Sequence, residues 1–184
     1  MSSDERPYRR PHAAVLARRL AEPRRFIQVV AGPRQVGKTT LVQQVAEAAG
    51  RPVQFASADE PTLRGPQWVA QQWEAARLMG GRGGALLVLD EVQKAAGWSE
   101  SVKRLWDEDT RAKRPIKVVL LGSAPLLIQR GLSESLAGRF EILHLPHWSA
   151  AEPLSAGTSH RSLKSFAATI SPLSRSHLSA HAYV

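Results

Sequence analysis

The chain has 184 residues, with 25 Lys and Arg against 16 Asp and Glu, a formal charge of +9 and no cysteine. That length suits one ordinary domain able to bury roughly 70% of the surface its unfolded chain exposes. No apolar run of about twenty residues is present to span a bilayer, and the N-terminal MSSDERPYRRPH lacks the apolar centre of a secretory signal. A disulfide framework and a thiolate metal site are excluded, the six His show no ligand spacing, and the cytoplasm is the expected compartment.

Strand and helix patterns alternate along the chain. Ala13–Leu20 reads as a short helix, with Leu16 and Leu20 four apart and Arg18 and Arg19 outward. FIQVVA (Phe26–Ala31) reads as a buried strand, followed by AGPRQVGKTTLVQQV (Ala31–Val45). This second stretch fits G-x-x-x-x-G-K-S/T through Gly32, Gly37, Lys38 and Thr39. Glycines let successive backbone N–H groups turn inward on a polyphosphate. Lys38 would meet the β- and γ-phosphates, Thr39 would ligate Mg²⁺, and the helix that begins there adds its positive dipole end. Gly32, Pro33, Arg34, Gln35, Val36, Gly37, Lys38, Thr39 and Thr40 are therefore the expected nucleotide-binding residues, with Leu41, Val45 and Ala48 on the buried face of the helix.

Pro52–Ser57 reads as a second strand, and Asp59 and Glu60 after it as a solvated turn near the same cleft. Pro66–Met79 reads as a helix with Val69, Trp73 and Ala76 on one face, ended by Gly80–Gly84. ALLVLDEVQK (Ala85–Lys94) is a continuous apolar run closing on Asp90 and Glu91, as suits a strand buried on both faces. Asp90 would hold Mg²⁺ and Glu91 would polarise the attacking water as general base. Gln93 and Lys94 would face a partner or the nucleotide. Trp98, Val102, Leu105 and Trp106 mark an amphipathic helix, Ile116–Ser123 a fourth strand, Ser133–Ala137 a short helix stopped by Gly138, and Glu141–Leu145 a fifth strand. The alternation implies right-handed crossovers and a parallel sheet between helical layers.

The pieces GPRQVGKTTL (Gly32–Leu41), LDEVQK (Leu89–Lys94), LLGSAPLLI (Leu120–Ile128), ESLAGRFEIL (Glu134–Leu143) and LPHWSAAEP (Leu145–Pro153) resemble the bacterial and archaeal AAA-type ATPases that usually carry an uncharacterised second domain. The string SLAGR after a strand ending in Gly-Ser is the most particular of these. The resemblance implies an α/β P-loop NTPase fold of AAA type. This is a three-layer sandwich whose mostly parallel five-stranded sheet has its fourth strand between those bearing Lys38 and Glu91. It also implies a γ-phosphate sensor at Ser123, where the residues alone equally suit a turn cap. Arg139 matches the family's arginine and would reach the γ-phosphate of its own or a neighbouring subunit, the second case making a homo-oligomer; the bland alternative is a surface ion pair.

The family pattern stops after Pro153, which divides the chain into an ATP-binding domain over 1–153 and a Ser/His/Arg-rich tail over 154–184. The tail reads as disordered or as one loosely docked helix around Ser162–Ile170. A truncated or frame-shifted form of a longer protein would explain it, as would a short variant with a flexible tail. The expected function is binding of ATP with Mg²⁺ and its hydrolysis. The alternatives are a nucleotide-binding switch or fragment with little turnover, and a small-molecule kinase. Nineteen of the basic residues are arginine, and Arg6, Arg9, Arg10, Arg18, Arg19, Arg24, Arg25 and Arg34 crowd the N-terminal stretch. Such a surface holds nucleic-acid phosphates by counterion release or is simply solvated, and no recognition-helix pattern accompanies it.

Overall fold

The computed structural model describes residues 9–59, 65, 67–123, 132 and 135–148, all within a compact unit that ends at Trp148. In chain order the elements are α1 (Pro11–Ala21), β1 (Ile27–Ala31), α2 (Lys38–Glu47), β2 (Val53–Ser57), α3 (Gln67–Gly80), β3 (Leu86–Asp90), α4 (Trp98–Arg111), β4 (Lys117–Gly122) and β5 (Phe140–His144). The sheet order is β2-β3-β4-β1-β5, and every pairing is parallel. β4 thus lies between the strand leading to Lys38 and the strand ending in Asp90, as the family resemblance implies. The described part is an α/β three-layer sandwich with a fully parallel sheet.

Side-chain alternation along the strands divides the core in two. Val30, Leu86, Val88, Val119 and Leu121 meet Leu16 and Leu20 of α1 and Leu41, Val42 and Val45 of α2 on one face. Val29, Leu87, Leu89, Val118 and Leu120 meet Trp68, Val69 and Trp73 of α3 and Val102, Leu105 and Trp106 of α4 on the other. The central strands β1 and β3 are buried along their whole length, whereas the edge strand β2 is half-buried. One helical face differs from the sequence reading. Ala48 caps the end of α2 and is exposed, and the buried stripe runs through Leu41, Val42, Val45 and Ala46 instead. Gly138 takes a left-handed φ of 75° in the turn before β5, but Leu136 and Ala137 just ahead of it are not helical. Glu60, Pro66, residues 124–128, Ser133 and Glu134, and everything from 149 onward, including the tail and its Ser162–Ile170 helix, lie outside the described residues.

Beneath the second face a buried carboxylate ties α3 to α4. Asp109 is fully buried and accepts from Trp73 Nε1 at 2.7 Å, Arg77 Nε at 2.9 Å and Arg114 Nη1 at 3.2 Å. Removing the carboxylate strands an indole N–H and a guanidinium away from water. Asp109→Ala should therefore cost about 3–5 kcal/mol in chemical denaturation. A loss under 1 kcal/mol would show that the network does not hold the two helices together.

Candidate functional site

The loop after β1 is shaped by two left-handed residues, Gln35 (φ 61°) and Gly37 (φ 85°). Gly37 is the expected one. Gln35 was expected only as a loop residue, since its type gives no warning of that conformation. A close approach explains the first glycine, because a Cβ on Gly32 would lie 2.2 Å from the Leu145 carbonyl oxygen. α2 starts at Lys38 with no side chain capping its N-terminus and no acidic residue in its first turn. Its first N–H groups therefore face the loop as an anion site.

The same alternation that divides the core aims Asp90. Leu86 and Val88 point to the α2 face of the sheet, so Asp90, two residues on, points there too. Its Oδ2 accepts the Thr39 hydroxyl at 2.8 Å across 51 residues of sequence. Burial raises the Asp90 carboxyl above the ordinary carboxylate range, against the opposing pull of the Thr39 hydrogen bond. Lys38, 6% exposed, donates to the carbonyls of Gly32 at 2.9 Å and Pro33 at 2.5 Å. Its ammonium is pushed below its usual range by desolvation, while Glu91 and Asp90 pull the other way.

Glu91 leaves the strand at a left-handed φ of 50° and opens a single 3₁₀ turn, Val92–Lys94. Its Oε2 accepts from Ser123 Oγ at 2.8 Å and from Gln93 Nε2 at 2.6 Å. Ser123 thus stands beside the catalytic candidate, and Gln93 faces inward. Lys94 pairs with Asp59, an exposed turn residue as expected, which also borders the cleft. The cleft, of about 520 Å³, is bordered by the loop from Arg34 to Thr40 and by Asp59, Glu91 and Lys94.

Arg139 is not among the residues bordering the cleft. It forms a bidentate pair with Asp107 of α4, Nε to Oδ1 at 2.8 Å and Nη2 to Oδ2 at 3.1 Å. The pair raises the Arg139 guanidinium and lowers the Asp107 carboxyl from their ordinary values. The N-terminal arginines are also partly committed to packing. Arg10 Nη1 donates to Val36 and Pro146 carbonyls. Arg19 reaches Gln28 and the Ile142 carbonyl. Arg24 donates to Ile116, Thr110 and Trp106 and lies 3.5 Å above the Trp106 ring. Among the described residues no helix is long and apolar enough to cross a membrane.

Comparison with known proteins adds the following. The model of a family described as AAA domain matches residues 24–154. A structure of the Aeropyrum pernix ORC2 protein in ADPNP–ADP complexes is similar at a TM-score of 0.57 and 18% identity, over 82% of this chain and 52% of that one. A structure bearing on katanin self-assembly gives a TM-score of 0.47 and 21% identity, over 66% of this chain and 41% of that one. The chain therefore spans about half the length of the ORC2 structure, a likeness at the level of fold. A comparison with curated proteins finds no match. With the family match over most of the chain, the parallel sheet order and the loop built between β1 and α2, this chain belongs to the AAA domain family of P-loop NTPases.

Proposed function

We propose that this domain binds ATP with Mg²⁺ and hydrolyses it to ADP and phosphate. The observation that carries the reading is the Thr39–Asp90 hydrogen bond of 2.8 Å, which joins the phosphate loop and the acidic strand end into one site. The uncapped N–H groups of α2 and the loop would hold the β-phosphate. Lys38 would exchange the neutral carbonyls of Gly32 and Pro33 for ionised phosphate oxygens, which make stronger partners. Thr39 and Asp90 offer one hydroxyl and one carboxylate. That donor set suits Mg²⁺, a hard cation that uses one or two protein ligands and completes its shell from phosphates and water. Bound there, the metal would neutralise charge on the phosphate oxygens.

Glu91 is the general base in this reading. Its carboxylate takes the proton of the water whose oxygen bonds to the γ-phosphorus, while the bond from that phosphorus to the ADP oxygen breaks. Ser123 and Gln93 orient the carboxylate through Oε2. The Ser123 hydroxyl would also meet the γ-phosphate, which links the two events. Arg139 would serve the triphosphate of a neighbouring copy, for which its partly exposed guanidinium must leave Asp107. One observation favours a second reading, a nucleotide switch with little turnover. Ser123 and Gln93 both donate to Glu91 Oε2, so that oxygen is already engaged within the protein.

Four outcomes test these assignments. Lys38→Ala should weaken MgATP binding in titration calorimetry by about ten- to a hundredfold, the loss of one charge-assisted contact. Unchanged affinity in a folded variant would overturn the site. Glu91→Gln should retain binding and lower phosphate release about 10²- to 10⁴-fold. Arg139→Ala should do the same in kind, with specific activity of the parent rising with protein concentration. Parent-rate turnover in Glu91→Gln would leave the switch reading or another base.

The fourth outcome concerns pH. Because burial raises the Asp90 carboxyl, it takes up a proton at a higher pH than an ordinary aspartate as the medium is acidified. The Mg²⁺-dependent part of ATP affinity should fall through that window. Asp90→Asn should lack both that pH dependence and most of the Mg²⁺ dependence. The terminal phosphate of free ATP titrates identically in both experiments, so the difference between the two profiles reports on the Asp90 carboxyl and the complex it forms. Superimposable profiles would remove Asp90 from the metal site.

A further inference from the structure

Sheet order gives the cleft a direction. Asp90, Glu91 and Ser123 come from β3 and β4, which lie to one side of β1, whereas β5 lies to the other. In the hydrolytic reading the γ-phosphate end points toward the acidic pair, so the nucleoside end emerges on the β5 side of the loop. Trp148, four residues beyond β5, lies on that side, just outside the residues that border the cleft. Its Cζ2 is 3.9 Å from the point where Gly37 would carry a Cβ, and the residue is 48% exposed.

The indole is held rather than dangling. Leu145 N–H donates to the Ala31 carbonyl at 2.8 Å, and the Leu145 carbonyl packs on Gly32. These contacts fix the segment after β5 to the start of the loop. Arg10, 4% exposed, donates at once to Val36 in the loop at 3.0 Å and to Pro146 at 3.1 Å. Its guanidinium lies 4.7 Å from the Trp148 ring centroid, a cation–π distance. An exposed indole, braced by a buried arginine and seated against the phosphate loop, is a platform for a flat ring.

We propose that Trp148 stacks on the base of the bound nucleotide, with Arg10 bracing the indole; the inference rests on the nucleotide reading of the phosphate loop. Stacking engages the π-face of a base and not its edge, so adenine and guanine should benefit alike.

The test compares the full chain with Trp148→Ala and Trp148→Phe by calorimetry against MgATP, MgGTP and inorganic tripolyphosphate with Mg²⁺. Trp148→Ala should lose about five- to a hundredfold in affinity for both nucleotides and keep parent affinity for tripolyphosphate, which has no base. Trp148→Phe should recover most of the loss. An equal loss for tripolyphosphate would mean that the indole only props the loop and would overturn the proposal, as would parent ATP affinity in Trp148→Ala. Failure of the parent to bind any of the three would overturn the nucleotide reading itself, and this proposal with it.

Discussion

Because β3, β4 and β1 are hydrogen-bonded neighbours running the same way, their carboxyl ends emerge along one edge of the sheet. The loop, the acidic pair and Ser123 must therefore meet there. Register completes the constraint. Val88 pairs with Val119 and Leu89 with Leu120, and a slip of one residue would turn each of these side chains to the opposite face. Asp90 would then turn away from α2, and its contact with Thr39 would be lost. The two apolar layers hold the register. Helices α1 and α2 take one alternate set of strand residues and α3 and α4 take the other. Core packing and site geometry are thus one fact seen from two ends of the strand.

The cleft holds opposed charges that already have internal partners. Lys38 is satisfied by two carbonyls and Asp90 by a hydroxyl, and burial disfavours the charged form of both. A buried ammonium and a buried carboxylate at the same edge are poised to exchange weak neutral partners for ionised ones. In the proposed function a metal-bound polyphosphate would supply both kinds of charge, oxygen anions for the lysine and a cation for the aspartate. Few groups need to move for that exchange, since the loop backbone, including its two left-handed residues, is already curled.

Much of the architecture was legible in the sequence, and the reasons are local. The runs Ile27–Ala31 and Leu86–Leu89 need both faces covered, and Trp98, Val102, Leu105 and Trp106 recur at helical spacing and are all buried. Where the pattern is weak the reading slipped. Ala48 looked buried by period alone, but α2 ends at Glu47. The loop residues and the acidic pair carry their chemistry in their identities. What the sequence did not disclose are pairings between distant residues. Ser123 and Glu91 are 32 positions apart, as are Arg139 and Asp107. Trp73 and Asp109 are 36 apart. Side-chain length and charge allow many such pairs, and the register of the sheet together with the packing of the helices on it selects among them.

The arginine excess shows what that selection does to a compositional argument. Eight arginines near the N-terminus suggest a polyanion-binding surface, yet Arg10, Arg19 and Arg24 direct their guanidinium groups to carbonyl oxygens inside the fold. A guanidinium has five donors in a planar fork, so one residue can join three segments that share no regular hydrogen bonds. Arg24 fastens the approach to β1 onto the end of α4 and the start of β4, and Arg139, just before β5, takes hold of α4 at Asp107. Arg10 joins the phosphate loop to the chain leaving β5. Substituting lysine there would keep the charge and lose the fork. The loop's position thus depends on a residue ahead of α1 as well as on its own glycines, a dependence that net charge alone does not reveal.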